Sequence, residues 1–150
     1  MRPYEDADLE PIIALIRAHL GEYVIRHIGP WARSEAMLRT DIPDARDHIS
    51  VVTQRGQVMG FVWIELAEDS LILEEIHVRT SARGQGLGRE LMRFVERKAG
   101  VHERGVVRLT AFRESPAVRF YERLGYTVVG ENTARAQVHM EKALTAPPQN

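Results

Sequence analysis

The chain has 150 residues, the size of one ordinary domain, and is long enough to bury a core. A composition that is 44% hydrophobic and 27% charged excludes a disordered chain. Twenty basic against 21 acidic residues leave a net charge of -1, so there is no net positive field to hold a nucleic-acid backbone.

The opening Met1-Arg2-Pro3-Tyr4-Glu5-Asp6 is polar and acidic where a signal peptide would be basic and then apolar. No apolar run approaches the roughly 20 residues that span a bilayer. The expectation is a cytoplasmic protein with no membrane partner. Leu9, Ile12, Ile13, Ile16 and Leu20 recur at helical spacing and predict a helix over 8–20, with Gly21 placed to end it. Residues 22–40 read as a second helical region broken at Gly29-Pro30, where proline offers no backbone donor.

The period then changes. Two strand-like runs, 48–54 and 57–68, flank Arg55-Gly56, a hairpin turn. A third strand is predicted over 71–79, with Leu71, Leu73, Ile76 and Val78 apolar. Helical spacing returns over 87–98, with Leu87, Leu91, Phe94 and Val95 on one face. A strand over 106–112 follows, then a short helix over 116–124. Ser115 is its N-cap, Pro116 its first residue, and Gly125 lies just past its end. Two closing strands are predicted over 126–129 and 137–142. The order gives a mixed α/β sheet in one domain over 1–144, with 145–150 as a disordered tail.

Between the third strand and the next helix lies Arg83-Gly84-Gln85-Gly86-Leu87-Gly88. Glycines let the backbone turn sharply and approach a ligand closely. The first amides of a helix have no internal partner, and with the positive end of the dipole they form an anion site. Arg83 and Arg89 can assist. A Walker loop needs Lys and Ser/Thr after its last glycine, and Gly88-Arg89-Glu90 lacks them. A dinucleotide fingerprint needs glycine where Arg89 stands. The remaining pattern, Arg-x-x-Gly-x-Gly after a strand, is met by Arg83, Gly86 and Gly88.

Read with Pro116-Ala117-Val118-Arg119-Phe120-Tyr121-Glu122-Arg123-Leu124-Gly125-Tyr126, the stretch from Val78 to Leu91 resembles the GCN5-related N-acetyltransferase (GNAT) superfamily. The order of elements agrees over nearly the whole chain. The resemblance implies a fold in which the third and fourth core strands splay and acyl-CoA lies in the gap. It implies acetyl-CoA as co-substrate and a small-molecule or protein amine as acceptor. The cofactor contacts it implies are Ile76, His77, Val78, the loop Arg83, Gly84, Gln85, Gly86, Leu87, Gly88 and Arg89, and also Ser115 and Tyr121. Many relatives carry asparagine just before the last helix, where this chain has Arg113-Glu114-Ser115.

Acetyl transfer needs a neutral amine, a polarised thioester carbonyl and a protonated leaving thiolate. Tyr121 stands where relatives with a tyrosine acid carry it, although it also falls on the apolar stripe of Ala117, Phe120 and Leu124. A phenol at about 10 protonates a thiolate at about 8.5 only with help from its surroundings. Glu74 and Glu75 are adjacent on the third strand and face opposite sides of the sheet, Glu74 with Ile76 and Val78, Glu75 with His77 and Arg79. Glu74 is the first candidate for the base, then Glu75, then His77.

Residues 21–46 are expected to shape the acceptor pocket, with Tyr23, His27, Trp31 and Trp63 as candidate lining. The six histidines have no metal-ligand spacing, cysteine is absent, and no metal is expected. A strand edge near the C-terminus would let two copies pair. The other function considered is a catalytically silent acyl-CoA-binding module that regulates a partner.

Overall fold

The computed structural model describes residues 1–145. In chain order its main elements are β1 (Arg2–Pro3), α1 (Leu9–His27), α2 (Trp31–Asp44), β2 (Ile49–Gln54), β3 (Gln57–Leu66) and β4 (Leu71–Val78). They continue with α3 (Leu87–Val101), β5 (Val106–Phe112), α4 (Ala117–Arg123), β6 (Thr127–Asn132) and β7 (Gln137–Ala143). The strands form a sheet in the order β1-β2-β3-β4-β5-β7-β6. The pairs β1–β2, β2–β3, β5–β7 and β6–β7 are antiparallel and β4–β5 is parallel, so the class is mixed α/β with helices flanking a mostly antiparallel sheet. The expected tail falls, from residue 146 on, outside the described residues.

Packing divides the chain into two compact units, one of Met1–Trp63 and Glu75–Leu91, the other of Ile64–Glu74 and the chain from Met92 onward. In the first unit, α1 is longer than its sequence pattern suggests. Gly21 does not end it but lies buried inside it, because Ile12, Ile13, Leu15, Ile16 and, beyond the glycine, Val24 carry the buried face onward. The helix stops where the Ile28 and Gly29 amides both bond to the Val24 carbonyl, at 2.8 and 2.9 Å, and Pro30 has no N–H to continue. Helix α2 runs past the expected end at Thr40 to Asp44. Arg39 ties the two helices together, reaching Glu10 at 2.6 and 3.1 Å and Glu35 at 3.4 Å.

The β2–β3 hairpin turns as its sequence implies, with Arg55 at φ 53 and Gly56 at φ 75, both left-handed as a tight two-residue connection requires. Strand β1, two residues long and without a readable period, pairs Arg2 with Val51. A fork from Arg2 to Asp8, at 2.8 and 2.9 Å, fixes this end of the chain.

In the second unit the parallel ladder joins β4 to β5 over Leu71↔Val107, Ile72↔Arg108 and Leu73↔Leu109. Strand β7 pairs with both β5 and β6, so the last two strands enter the sheet in reverse of chain order. Leu71, Leu73, Val95, Ala99, Val107, Leu109, Tyr126 and Met140 are buried here. Gly125, at φ 96, ends α4 and lets the Tyr126 amide return to the Tyr121 carbonyl at 3.1 Å.

Candidate active site

The glycine loop leaves β4 under firm anchorage. The Arg79 amide bonds to the Met59 carbonyl at 2.7 Å and its guanidinium Nε to the Val58 carbonyl at 2.9 Å, so the loop starts from a fixed point on β3. A short turn follows, closed by Ala82 and Arg83 amides onto the Arg79 and Thr80 carbonyls at 2.8 and 3.2 Å. Gly84 and Gly86 then take φ +79 and +81, where a Cβ would meet no atom but would strain the backbone. The Gly86 carbonyl accepts the first α3 bond, from Glu90 at 3.0 Å. The amides of Leu87, Gly88 and Arg89 therefore lie in the first turn, where helix geometry supplies no earlier carbonyl. Arg83, Gly84, Gln85, Gly86 and Arg89 are exposed. Open amides, the helix N-terminus and two exposed guanidiniums form a donor set for an anion such as a pyrophosphate.

The two faces of β4 differ as its alternation predicts. Glu74 is exposed and Ile76 and Val78 are half-buried, whereas on the other face Leu71, Leu73 and His77 are buried and Glu75 is half-buried. His77 Nε2 lies 2.6 Å from the Glu75 carboxylate, and its Nδ1 lies 2.9 Å from Nδ1 of His19 on α1. Phe61 on β3 stacks on the His77 ring at 5.3 Å. Burial first, then His77, then the positive charge of Arg83 push His19 down from 6.5 to about 4. His19 is therefore neutral at neutral pH.

Sequence reasoning missed His19, counting it among scattered histidines. The signal was its place: three residues past Ile16, on the buried stripe of α1, an imidazole needs a polar partner.

Gly60 on β3 lets the strands come this close, since a Cβ there would sit 2.8 Å from the His77 carbonyl oxygen. Acceptor-side candidates on α1 and α2 are spread in exposure. Tyr23 and His27 are half-buried, as is Trp63 on β3. Trp31 is buried, its indole N–H donating to Glu35 at 3.0 Å and its ring lying 5.9 Å from the Arg17 guanidinium carbon.

In the second unit, Tyr121 is buried on α4, edge-on to Tyr126 at 5.9 Å. Tyr126 is held by Glu96, whose carboxylate also accepts from Lys142 at 2.8 Å. Helix α4 starts at Ala117 with Pro116 at its N-cap, one residue later than expected, and the Ser115 hydroxyl oxygen accepts the Ala117 amide at 3.1 Å just before it. Glu114 beside it is exposed. Among the described residues no group of three or more His, Asp or Glu is placed to hold a metal ion, and no helix is long and apolar enough to cross a membrane.

Residues 45–128, more than half the chain, match the model of the acetyltransferase (GNAT) domain. The chain belongs to this family, whose members are acyl-CoA-dependent N-acetyltransferases. Its fold is similar to that of the PaiA N-acetyltransferase from Thermoplasma acidophilum, solved in complex with coenzyme A, at 17% identity and a TM-score of 0.74, covering 95% of this chain and 96% of that one. Ard1 from Thermoplasma volcanium is similar at 17% identity and a TM-score of 0.76, with 96% of each chain covered. The ribosomal-protein-S18-alanine N-acetyltransferase from Escherichia coli is similar at 19% identity and a TM-score of 0.69, covering 99% of this chain and 95% of that one.

Proposed function

We propose that the chain transfers an acetyl group from acetyl-CoA to a primary amine of a small molecule or protein by direct attack. The observation that carries this reading is the exposed loop from Arg83 to Gly88, whose left-handed glycines lead into the first turn of α3 inside the matched family segment, with Arg83 and Arg89 exposed at its ends. Bound there, acetyl-CoA supplies the activated acyl carbon and a thiol leaving group. Arg83, Arg89 and the amides of Leu87, Gly88 and Arg89 hold its pyrophosphate. Backbone groups of Ile76, His77 and Val78 orient the acyl arm. Ser115 contributes from the start of α4, where the exposed Glu114 adds no attraction for an anion.

A β4 carboxylate drives removal of the amine's proton, directly or through the histidine it holds, and Tyr121 gives one to the leaving thiolate. Of the two carboxylates, Glu75 is the better supported, because its bond to His77 gives a transferred proton a partner to rest on. Glu74, on the exposed face, is the second candidate. Burial against Tyr126 removes water from the Tyr121 phenol, which supports a proton donor protected from solvent. Tyr23, His27, Trp31 and Trp63 shape the acceptor side.

The test is thiol release from acetyl-CoA against a panel of primary amines and peptides with free N-termini. Tyr121→Phe should lower turnover at least roughly ten-fold with little change in coenzyme A affinity. An unchanged rate would remove Tyr121 as the acid. Tight coenzyme A binding with no turnover on any acceptor would instead support a binding module.

A further inference from the structure

We propose that His19 is a further residue of the acyl-transfer machinery, the outer end of a Glu75–His77–His19 relay that draws a proton from the amine acceptor. The proposal rests on the acetyltransferase reading above. Three observations lead to it. His77 is buried and engaged at both ring nitrogens, by a carboxylate at 2.6 Å and by a second imidazole at 2.9 Å. His19, Glu75 and His77 all lie in the first unit, and Phe61 of β3 stacks on the central ring. The positive charge of Arg83, the first residue of the anion loop, acts on His19.

Hydrogen-bond chemistry sets the order of protons in this relay from the carboxylate outward. An ionised carboxylate only accepts, so His77 donates from Nε2 to Glu75. In the arrangement we propose, His77 Nδ1 accepts, and His19 donates to it from its own Nδ1. This leaves the lone pair of the relay on His19 Nε2. A proton arriving at that nitrogen forms one N–H bond there. The His19 Nδ1–H bond breaks as an N–H bond forms at His77 Nδ1, and no electrons are transferred between groups. The gained charge comes to rest on His77, against the Glu75 carboxylate. His19 stays neutral before and after, in agreement with its lowered proton affinity in the bare site.

A pair of histidines that only pack would show none of this linkage. With ¹⁵N-labelled histidine, ring spectra at neutral pH should show His19 protonated at Nδ1 and bare at Nε2. Glu75→Gln should alter the His19 titration, although Glu75 bonds to His77. A His19 titration identical in wild type and Glu75→Gln overturns the relay. In thiol-release assays, His19→Gln should lower kcat at least roughly ten-fold, leave KM for acetyl-CoA within about two-fold and shift the pH–rate profile. His19→Phe, which keeps the ring volume, should do the same, which separates lost proton transfer from lost packing. An unchanged kcat in both variants overturns the proposal. If the wild-type chain acetylates no amine, the acetyltransferase reading fails by itself. An intact relay in the ring spectra would then remain as a structural finding, with its catalytic role overturned.

Discussion

Replacing Gly60 by alanine is expected to damage both stability and the site. The new methyl carbon would stand 2.8 Å from the His77 carbonyl oxygen, with Leu91 Cδ1 at 3.5 Å and Val78 Cα at 3.6 Å. Contacts below 3.0 Å are essentially never seen for a real Cβ, and ordinary contact begins near 3.4 Å, so β3 and β4 must separate locally. They resist, because the Arg79 amide and guanidinium bond to the Met59 and Val58 carbonyls at 2.7 and 2.9 Å. Overpacking of this kind costs about 1–3 kcal/mol. Alanine restricts the unfolded chain and returns about 0.4–1 kcal/mol of that. A net loss of about 1–2 kcal/mol corresponds to a melting temperature lower by about 2–8 °C for a domain of this size. Moving the His77 backbone also displaces the ring that bridges Glu75 and His19, so turnover should fall further than the folded population does. Calorimetric melting and thiol release at a temperature well below the transition measure the two effects. A Gly60→Ala protein that melts at or above the wild-type temperature would refute this account of the β3–β4 approach.

Gly21→Ala should act in the opposite direction: the added Cβ meets only Arg17 Cγ, at 3.5 Å, inside a continuous helix. A gain of about 0.5–1 kcal/mol, or about 1–4 °C in melting temperature, is expected, and a lower melting temperature would contradict the helical assignment. The third prediction concerns acid. His19 is held at about 4 against 6.5 in the unfolded chain, so the unfolded state binds more protons between those values. Its contribution to stability is present above 6.5 and is lost as pH falls from there through about 4. The full linkage is at most about 3 kcal/mol at 1.36 kcal/mol per pH unit, and about 1–2 kcal/mol after solvent screening of a half-buried ring. Urea titrations at neutral pH and near pH 4.5 should show this acid loss in wild type and not in His19→Phe. Equal losses in the two proteins would refute the assignment.

The order of elements was legible because each rests on local chemistry. Alternation at Leu71 and Leu73, Pro30 at the α1–α2 break, Arg55-Gly56 in the hairpin and Gly125 after α4 each act within a few residues. The glycine loop was legible for the same reason: left-handed glycines and a helix start are properties of the segment itself. Helix α1 was misjudged at Gly21 because glycine costs a helix only about 1 kcal/mol, and burial of Val24 beyond it outweighs that. Strand β1 and the insertion of β7 between β5 and β6 depend on pairing with distant segments, which no local period records.

The base shows the same division more sharply. Alternation separates Glu74 from Glu75 correctly, one on each face, but gives no reason to prefer either. The contact that favours Glu75 in the proposed relay lies 58 residues upstream of His77, in His19 on α1. A buried imidazole without a partner is costly, so His77 on the apolar face of β4 and His19 on the apolar stripe of α1 each imply a polar neighbour. Two such demands on two elements are met at once where the residues face each other, and the Glu75 carboxylate partners the second nitrogen of His77. A relay of this kind therefore leaves a trace in the sequence, as polar residues that interrupt two apolar faces. What fixes the pairing is the packing of α1 on β4, and that requires the fold.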